Sequence, residues 1–167
     1  MNPLAQRRKV LIYISGPLQG SPDLDAARRL YDDLADIVRE CGHRAYVPHH
    51  HTDPTKAAAL SSGDVFATDL AALNAAHAVV AHVGLPSTGV GAEVALSVAS
   101  DRRVLGLKRP GERGSRFAEG LIEDSGGRII TFTNCEDLAG QVAAWLAMPM
   151  SWFGRPSGIQ HRRRVVA

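Results

Sequence analysis

Residues 9–17 read KVLIYISGP. Lys9–Ser15 is a short apolar, β-branched run and predicts a buried strand. Gly16-Pro17 closes it, so the chain must turn there. Ser21-Pro22 follows as an N-cap with proline at the first helical position, and Asp23 and Asp25 suit the positive end of a helix dipole. Leu24, Ala27, Leu30, Tyr31, Leu34, Ile37 and Val38 recur at three and four, which gives one apolar face on a helix stopped by Gly42.

The same alternation continues outward. Strands are predicted at Arg44–Val47, Ala78–Val83, Val104–Lys108 and Arg128–Phe132. Helices are predicted at Asp64–Ala76, Ala92–Ser100 and Ser115–Asp124, with a last one capped by Asn134 and running to about Met148. His49–Gly63 is polar and reads as a mobile loop, and Gly84–Gly91 as a glycine-rich one. Five apolar strands separated by helices predict an α/β fold. It is a single-domain, doubly wound five-stranded parallel sheet, Rossmann-like or flavodoxin-like, with helices on both faces. Ligands in such sheets bind at the carboxyl ends of the strands, near the switch in strand order. Function is therefore expected in Tyr13–Gly20, after Val47, and in Gly84–Glu93.

With 167 residues the chain fits one domain, taken as 1–148, followed by a basic tail at 149–167. Hydrophobic residues at 45% and charged residues at 22% exclude general disorder. No run approaches a membrane span, and MNPLAQRRKV does not read as a secretory signal, so the cytoplasm is the expected compartment. A net charge of +2 does not mark a nucleic-acid binder; Arg162, Arg163 and Arg164 read as a solvated terminus. Cys41 and Cys135 have no metal or redox spacing and are expected as free thiols.

Three places could carry chemistry. Pro86–Glu93 (PSTGVGAE) lies between a strand and a helix. Its glycines let backbone amides approach an anion, the helix start adds unpaired N–H groups, and Ser87 adds a hydroxyl. Glu93 follows closely; alone, it would read as a carboxylate complementing the dipole. Asp69 sits between Phe66 and Leu73 on an apolar helical row, which would raise its proton affinity; a rim position beside solvent is the plainer reading. Tyr13 lies two residues before the strand-ending turn. His49, His50 and His51 cannot all face one metal from an extended segment, and no cysteine or paired acid accompanies them, so no metal site is expected.

Together these residues resemble a known family. Ile12–Gly20 (IYISGPLQG) looks like the first-strand motif of the nucleoside 2-deoxyribosyltransferase superfamily, and Val65–Leu70 (VFATDL) like its acid-bearing helix. The Pro86–Glu93 loop resembles the 2′-deoxynucleoside 5′-phosphate N-hydrolase branch and the cytidylate-hydrolysing enzymes, CMP and hydroxymethyl-CMP N-hydrolases. The similarity runs from about Lys9 to Leu146.

The resemblance implies that Glu93 attacks the anomeric carbon, Asp69 assists departure of the base, and Tyr13 orients the nucleophile. It implies a 5′-phosphate cradle at Ser87, Gly89 and Gly91, and a sugar and base loop at Ser15, Gly16, Pro17, Leu18 and Gln19. His49, or His50 in its place, matches a histidine near the ligand. The resemblance also implies a homodimer with a shared site, Ser115 matching the neighbouring subunit's serine; a helix N-cap accounts for Ser115 equally well. No cofactor and no metal are required, and the partner is a small nucleotide rather than nucleic acid or membrane. Gln19 stands where mammalian-type members carry arginine, and Pro17-Leu18 is closer to the transferases and cytidylate hydrolases. The expected activity is hydrolysis of the N-glycosidic bond of a nucleoside 5′-monophosphate, with a pyrimidine (CMP-like) or 2′-deoxynucleotide substrate. The alternatives are base exchange by a deoxyribosyltransferase and a non-catalytic nucleotide-binding module.

Overall fold

A computed structural model describes residues 9–149. The eight residues before them and the tail expected at the C-terminus lie outside the described residues, save for Pro149. Five strands, β1 (Leu11–Ser15), β2 (Arg44–Tyr46), β3 (Ala78–His82), β4 (Arg103–Lys108) and β5 (Arg128–Thr131), form one sheet. Every pairing is parallel and the order is β2-β1-β3-β4-β5. This is the flavodoxin-like version of the doubly wound sheet, and the strand order switches between β1 and β3.

The five helices are α1 (Leu24–Glu40), α2 (Ser62–Ala75), α3 (Thr88–Ala99), α4 (Arg116–Asp124) and α5 (Cys135–Leu146). Right-handed crossovers decide their faces. The step from β1 to β2 runs one way along the sheet and every later step runs the other way, so α1 lies opposite α2, α3 and α4. The strand period of two then divides the core. Ile12 and Ile14 of β1 pack with Leu34 and Val38 of α1 and with Leu138 and Val142 of α5. Tyr13 packs on the other side with Leu73 of α2, Val90 and Val94 of α3, and Ile122 of α4. Cys41 and Cys135 are both free. Among the described residues no helix is long and apolar enough to cross a membrane.

Several element starts differ from expectation: β1 begins at Leu11 rather than Lys9 and α2 at Ser62 rather than Asp64, and the caps of two further helices move. The N-cap of α1 is Asp23, whose side chain accepts from the Ala26 N–H, rather than Ser21. α3 begins at Thr88 instead of Ala92, because Ser87 is its N-cap and accepts from the Val90 N–H. Gly89, Gly91 and Glu93 are thus helical, and Glu93 belongs to the second turn, beyond the place where a carboxylate merely complements the dipole.

The segment expected to be a mobile loop is pinned. A 3-10 turn spans Pro48–His50, and Thr52 and Asp53 behind it are buried. Asp53 accepts two bonds from the Arg28 guanidinium, both 2.7 Å, and the N–H groups of Thr55 and Lys56 at 2.8 and 2.9 Å. Arg28 belongs to α1, so this bidentate pair ties the loop to the first helix. Arg28 also holds the Asp53 carboxyl far below the usual carboxylate range. A carboxyl so depressed stabilises the fold above its unfolded value, about 3.9, and loses that contribution as pH falls below it. Asp53→Asn should therefore lower the melting temperature at pH 7, make residues 54–61 more sensitive to limited proteolysis, and show a smaller deficit near pH 3.

Candidate active site

β1 delivers two hydroxyls to one place. Tyr13 and Ser15 are two residues apart and so share a face of the strand. The Tyr13 hydroxyl donates to Glu93 Oε1 at 2.6 Å, and Ser15 Oγ donates to Oε2 at 2.5 Å. Both carboxylate oxygens are thereby held from below the sheet's carboxyl edge. On the same helix Ser97 Oγ donates to the Glu93 carbonyl at 2.6 Å. Burial raises the Tyr13 hydroxyl far above its ordinary value, and the charge on Glu93 adds to this, so it remains a donor.

Asp69 is held in a parallel way. Tyr46 donates to its Oδ1 at 2.9 Å and Thr52 to its Oδ2 at 2.8 Å. Tyr46 is the register neighbour of Tyr13, and the two rings stack with centroids 5.3 Å apart. His51 stacks on the far side of Tyr46, with centroids 4.8 Å apart. The two acids thus stand on α2 and α3, joined beneath by a pair of stacked tyrosines on adjacent strands.

Burial pushes both carboxyls up. For Asp69, burial is opposed by the bonds from Thr52 and Tyr46. For Glu93, burial is opposed by Ser15 and Tyr13 and reinforced by the charge on Asp69. A like charge across one cleft thus adds to burial in disfavouring ionised Glu93.

Glu93 and Asp69 line one cleft of about 770 Å³, together with Gly16, Leu18, Gln19, Ser87 and Gly89. Its apolar walls include Leu60, Phe66, Leu70 and Leu96. The 16–19 loop rests on Tyr31, whose hydroxyl donates to the Pro17 carbonyl at 3.1 Å. A side chain at position 16 would run into the Tyr31 ring, which is why glycine stands there. At the other side of the cleft, α3 starts at Ser87. The first N–H groups of a helix lack intrahelical acceptors, and the dipole there is positive.

The predicted site residues do not all meet. Tyr13, Ser15, Gly16, Leu18, Gln19, Asp69, Ser87, Gly89 and Glu93 converge on the cleft or on its acids. Pro17 contributes its carbonyl to Tyr31 instead. Gly91, one turn into α3, is absent from the cleft wall. His49 is buried away from the cleft, with Nε2 3.0 Å from Asp32 Oδ1, and His50 meets the same oxygen at 2.7 Å. Ser115 caps α4, accepting from the Ala118 N–H at 3.4 Å, and does not reach this chain's cleft. Tyr46 and Thr52, the two hydroxyls on Asp69, escaped sequence reading. Tyr46 had a usable signal, being an aromatic at the carboxyl end of a strand.

A carboxyl whose folded-state value is raised above its unfolded one, about 4.3, destabilises the fold when it ionises. The penalty is absent at low pH, grows as pH rises through the unfolded value and is complete above the folded one. Glu93→Gln should therefore melt above the wild type at pH 7, by about 2–4 °C for each kcal/mol relieved in a chain of this size. The gap should close toward pH 4, as read by scanning calorimetry.

A family model described as nucleoside 2-deoxyribosyltransferase matches residues 12–130. No curated protein sequence is significantly similar to the chain. Among solved structures, a conserved protein from Enterococcus faecalis V583 superposes with a TM-score of 0.64 at 19% identity, covering 82% of this chain and 99% of that one. The CMP N-glycosidase BcmB of Clostridium botulinum gives 0.62 at 15% identity, with 81% and 98% covered. A 2-deoxyribosyltransferase from Bacillus psychrosaccharolyticus gives 0.57 at 19% identity, with 82% and 96% covered. At these identities the superpositions establish the shared fold. The matched stretch runs from the strand carrying Tyr13 to the last strand of the sheet and takes in Asp69 and Glu93; the chain belongs to the nucleoside 2-deoxyribosyltransferase family.

Proposed function

We propose that the protein hydrolyses the N-glycosidic bond of a nucleoside 5′-monophosphate, releasing the base and a (deoxy)ribose 5-phosphate. Family membership supports the bond type. The observation that carries the substrate class is the start of α3, which opens at Ser87–Gly89 onto the same cleft as Glu93 and Asp69. Such a start suits a phosphate. Ser87 and Glu93 are six residues apart, about 9 Å along the helix axis. That separation suits one sugar phosphate touching both ends.

The chemistry follows from the two acids. A Glu93 oxygen bonds to the anomeric carbon as the carbon–nitrogen bond breaks, and that electron pair leaves with the base. Asp69 supplies the proton the departing base takes up. Water then adds to the anomeric carbon, gives its proton to Asp69, and frees Glu93. This is the two-step route of retaining glycosidases, whose carboxyls lie about 5 Å apart. Tyr13 and Ser15 keep both Glu93 oxygens oriented and oppose the rise that burial imposes on its carboxyl, as Thr52 and Tyr46 do for Asp69; the proposed reaction needs Glu93 ionised and Asp69 protonated. Phosphate contacts at Ser87 supply binding energy remote from the reacting bond, and this fixes the ring over Glu93. Leu18 and Gln19 line the cleft, and the likeness of Pro17-Leu18 and Gln19 to the cytidylate hydrolases supports a pyrimidine nucleotide, with a 2′-deoxynucleotide as the other option.

Base exchange is the second reading, favoured by the description of the matching family. Incubating the protein with the eight common monophosphates and separating the products distinguishes the two. Free base from at least one monophosphate is expected, with loss of at least about 10³-fold in Glu93→Ala. Ser87→Ala should raise KM for the monophosphate with little change for the matching nucleoside. A new nucleoside formed on adding a second base, with no preference for phosphate, would establish the exchange reading instead.

We further infer a homodimer. Phe66, Leu96 and Leu60 line the cleft yet are 61%, 42% and 39% exposed, and a second copy would cover them. Light scattering after gel filtration should give twice the chain mass of 17.9 kDa. Phe66→Glu should shift it toward the monomer.

A further inference from the structure

His49, His50 and Asp32 form a cluster that the catalytic cleft does not use. From an extended segment neighbouring histidines diverge. Here residues 48–50 make a 3-10 turn, and the turn aims both imidazoles at α1. His49 Nε2 and His50 Nε2 lie 3.0 and 2.7 Å from the same Asp32 oxygen. The rings are perpendicular, with centroids 4.6 Å apart, so the two nitrogens approach that oxygen from different directions.

We propose that Asp32, His49 and His50 bind a divalent transition-metal ion of the zinc type. The three ligand atoms all lie within 4.8 Å of one another. Tetrahedral zinc with nitrogen ligands at about 2.0–2.1 Å needs them about 3.3 Å apart. The half-exposed Asp32 and His50 side chains are free to turn toward that spacing, while buried His49 is the fixed point. Two imidazoles and one carboxylate suit Zn²⁺, Co²⁺ or Ni²⁺ and disfavour Mg²⁺, which prefers an all-oxygen shell. Solvent fills the fourth position. Each imidazole must offer its Nε2 lone pair with the proton on Nδ1. His49 Nδ1 is buried and has no hydrogen-bond partner, so the support that usually orients a ligating histidine is missing. Such support is worth about 10–100-fold in affinity, so binding is weaker by that factor than at a site whose histidines are both supported.

The ion is a clamp rather than a catalyst, because none of its three ligands lines the cleft. It joins α1 to the turn that carries Thr52, whose hydroxyl holds Asp69. The inference stands on these side chains and is independent of the reaction proposed above.

The test is isothermal titration of untagged full-length protein with ZnCl2, paired with a melting curve. The wild type should bind and melt at higher temperature with Zn²⁺, but not with equal MgCl2. His50→Ala and Asp32→Asn remove half-exposed groups without opening the core, and each should weaken binding at least tenfold. His77→Ala, at an exposed position off the cluster, should bind as the wild type does. No binding by the wild type, or unchanged affinity in both His50→Ala and Asp32→Asn, overturns the proposal.

Discussion

The grip of two β1 hydroxyls on the Glu93 carboxylate is the constraint on which the site depends. It requires Tyr13 and Ser15 to point to the face covered by α2, α3 and α4 while Ile12 and Ile14 point to the face covered by α1 and α5. A one-residue slip of β1 would exchange the two sets and expel the hydroxyls from the site. Pairing with β2 on one side and β3 on the other excludes that slip. The register of a central strand thus controls the orientation of an acid on a helix 80 residues away in sequence.

A carboxylate enclosed in this way works against stability. Burial pushes Glu93 and Asp69 in the same direction, and each is answered chiefly by two hydroxyl donors, with His51 adding a smaller pull on Asp69. A lysine or arginine would satisfy the charge more fully. In the reaction proposed above it would also hold the carboxylate too firmly for attack on carbon or for transfer of a proton. Hydroxyls orient without neutralising, and the remaining cost is borne by the rest of the fold, as at many reactive sites.

Much of the fold was legible because its strands are short apolar runs at regular intervals, and periodicity reports burial directly. The acids stood out only weakly on their own, Asp69 as a break in an apolar row and Glu93 after a glycine-rich loop, and their roles came with the family resemblance. What escaped reading depends on pairing across the chain. Asp53 looked like a loop charge and is a buried anchor, because its partner Arg28 is 25 residues earlier. His49 looked like a cleft residue and turns away, because a 3-10 turn reverses the direction an extended strand end would have given it. Tyr46 found its role only through register, as the neighbour of Tyr13.

α2 commits only Leu73 fully to the core, although Val65, Phe66 and Leu70 are also apolar. These three side chains form a wall of the cleft without underpinning the sheet. Exchanging them reshapes the cleft while the scaffold and both acids keep their positions. Diversification of substrate scope can therefore proceed along this one helix at small cost to folding, with Asp69 carried unchanged in its midst.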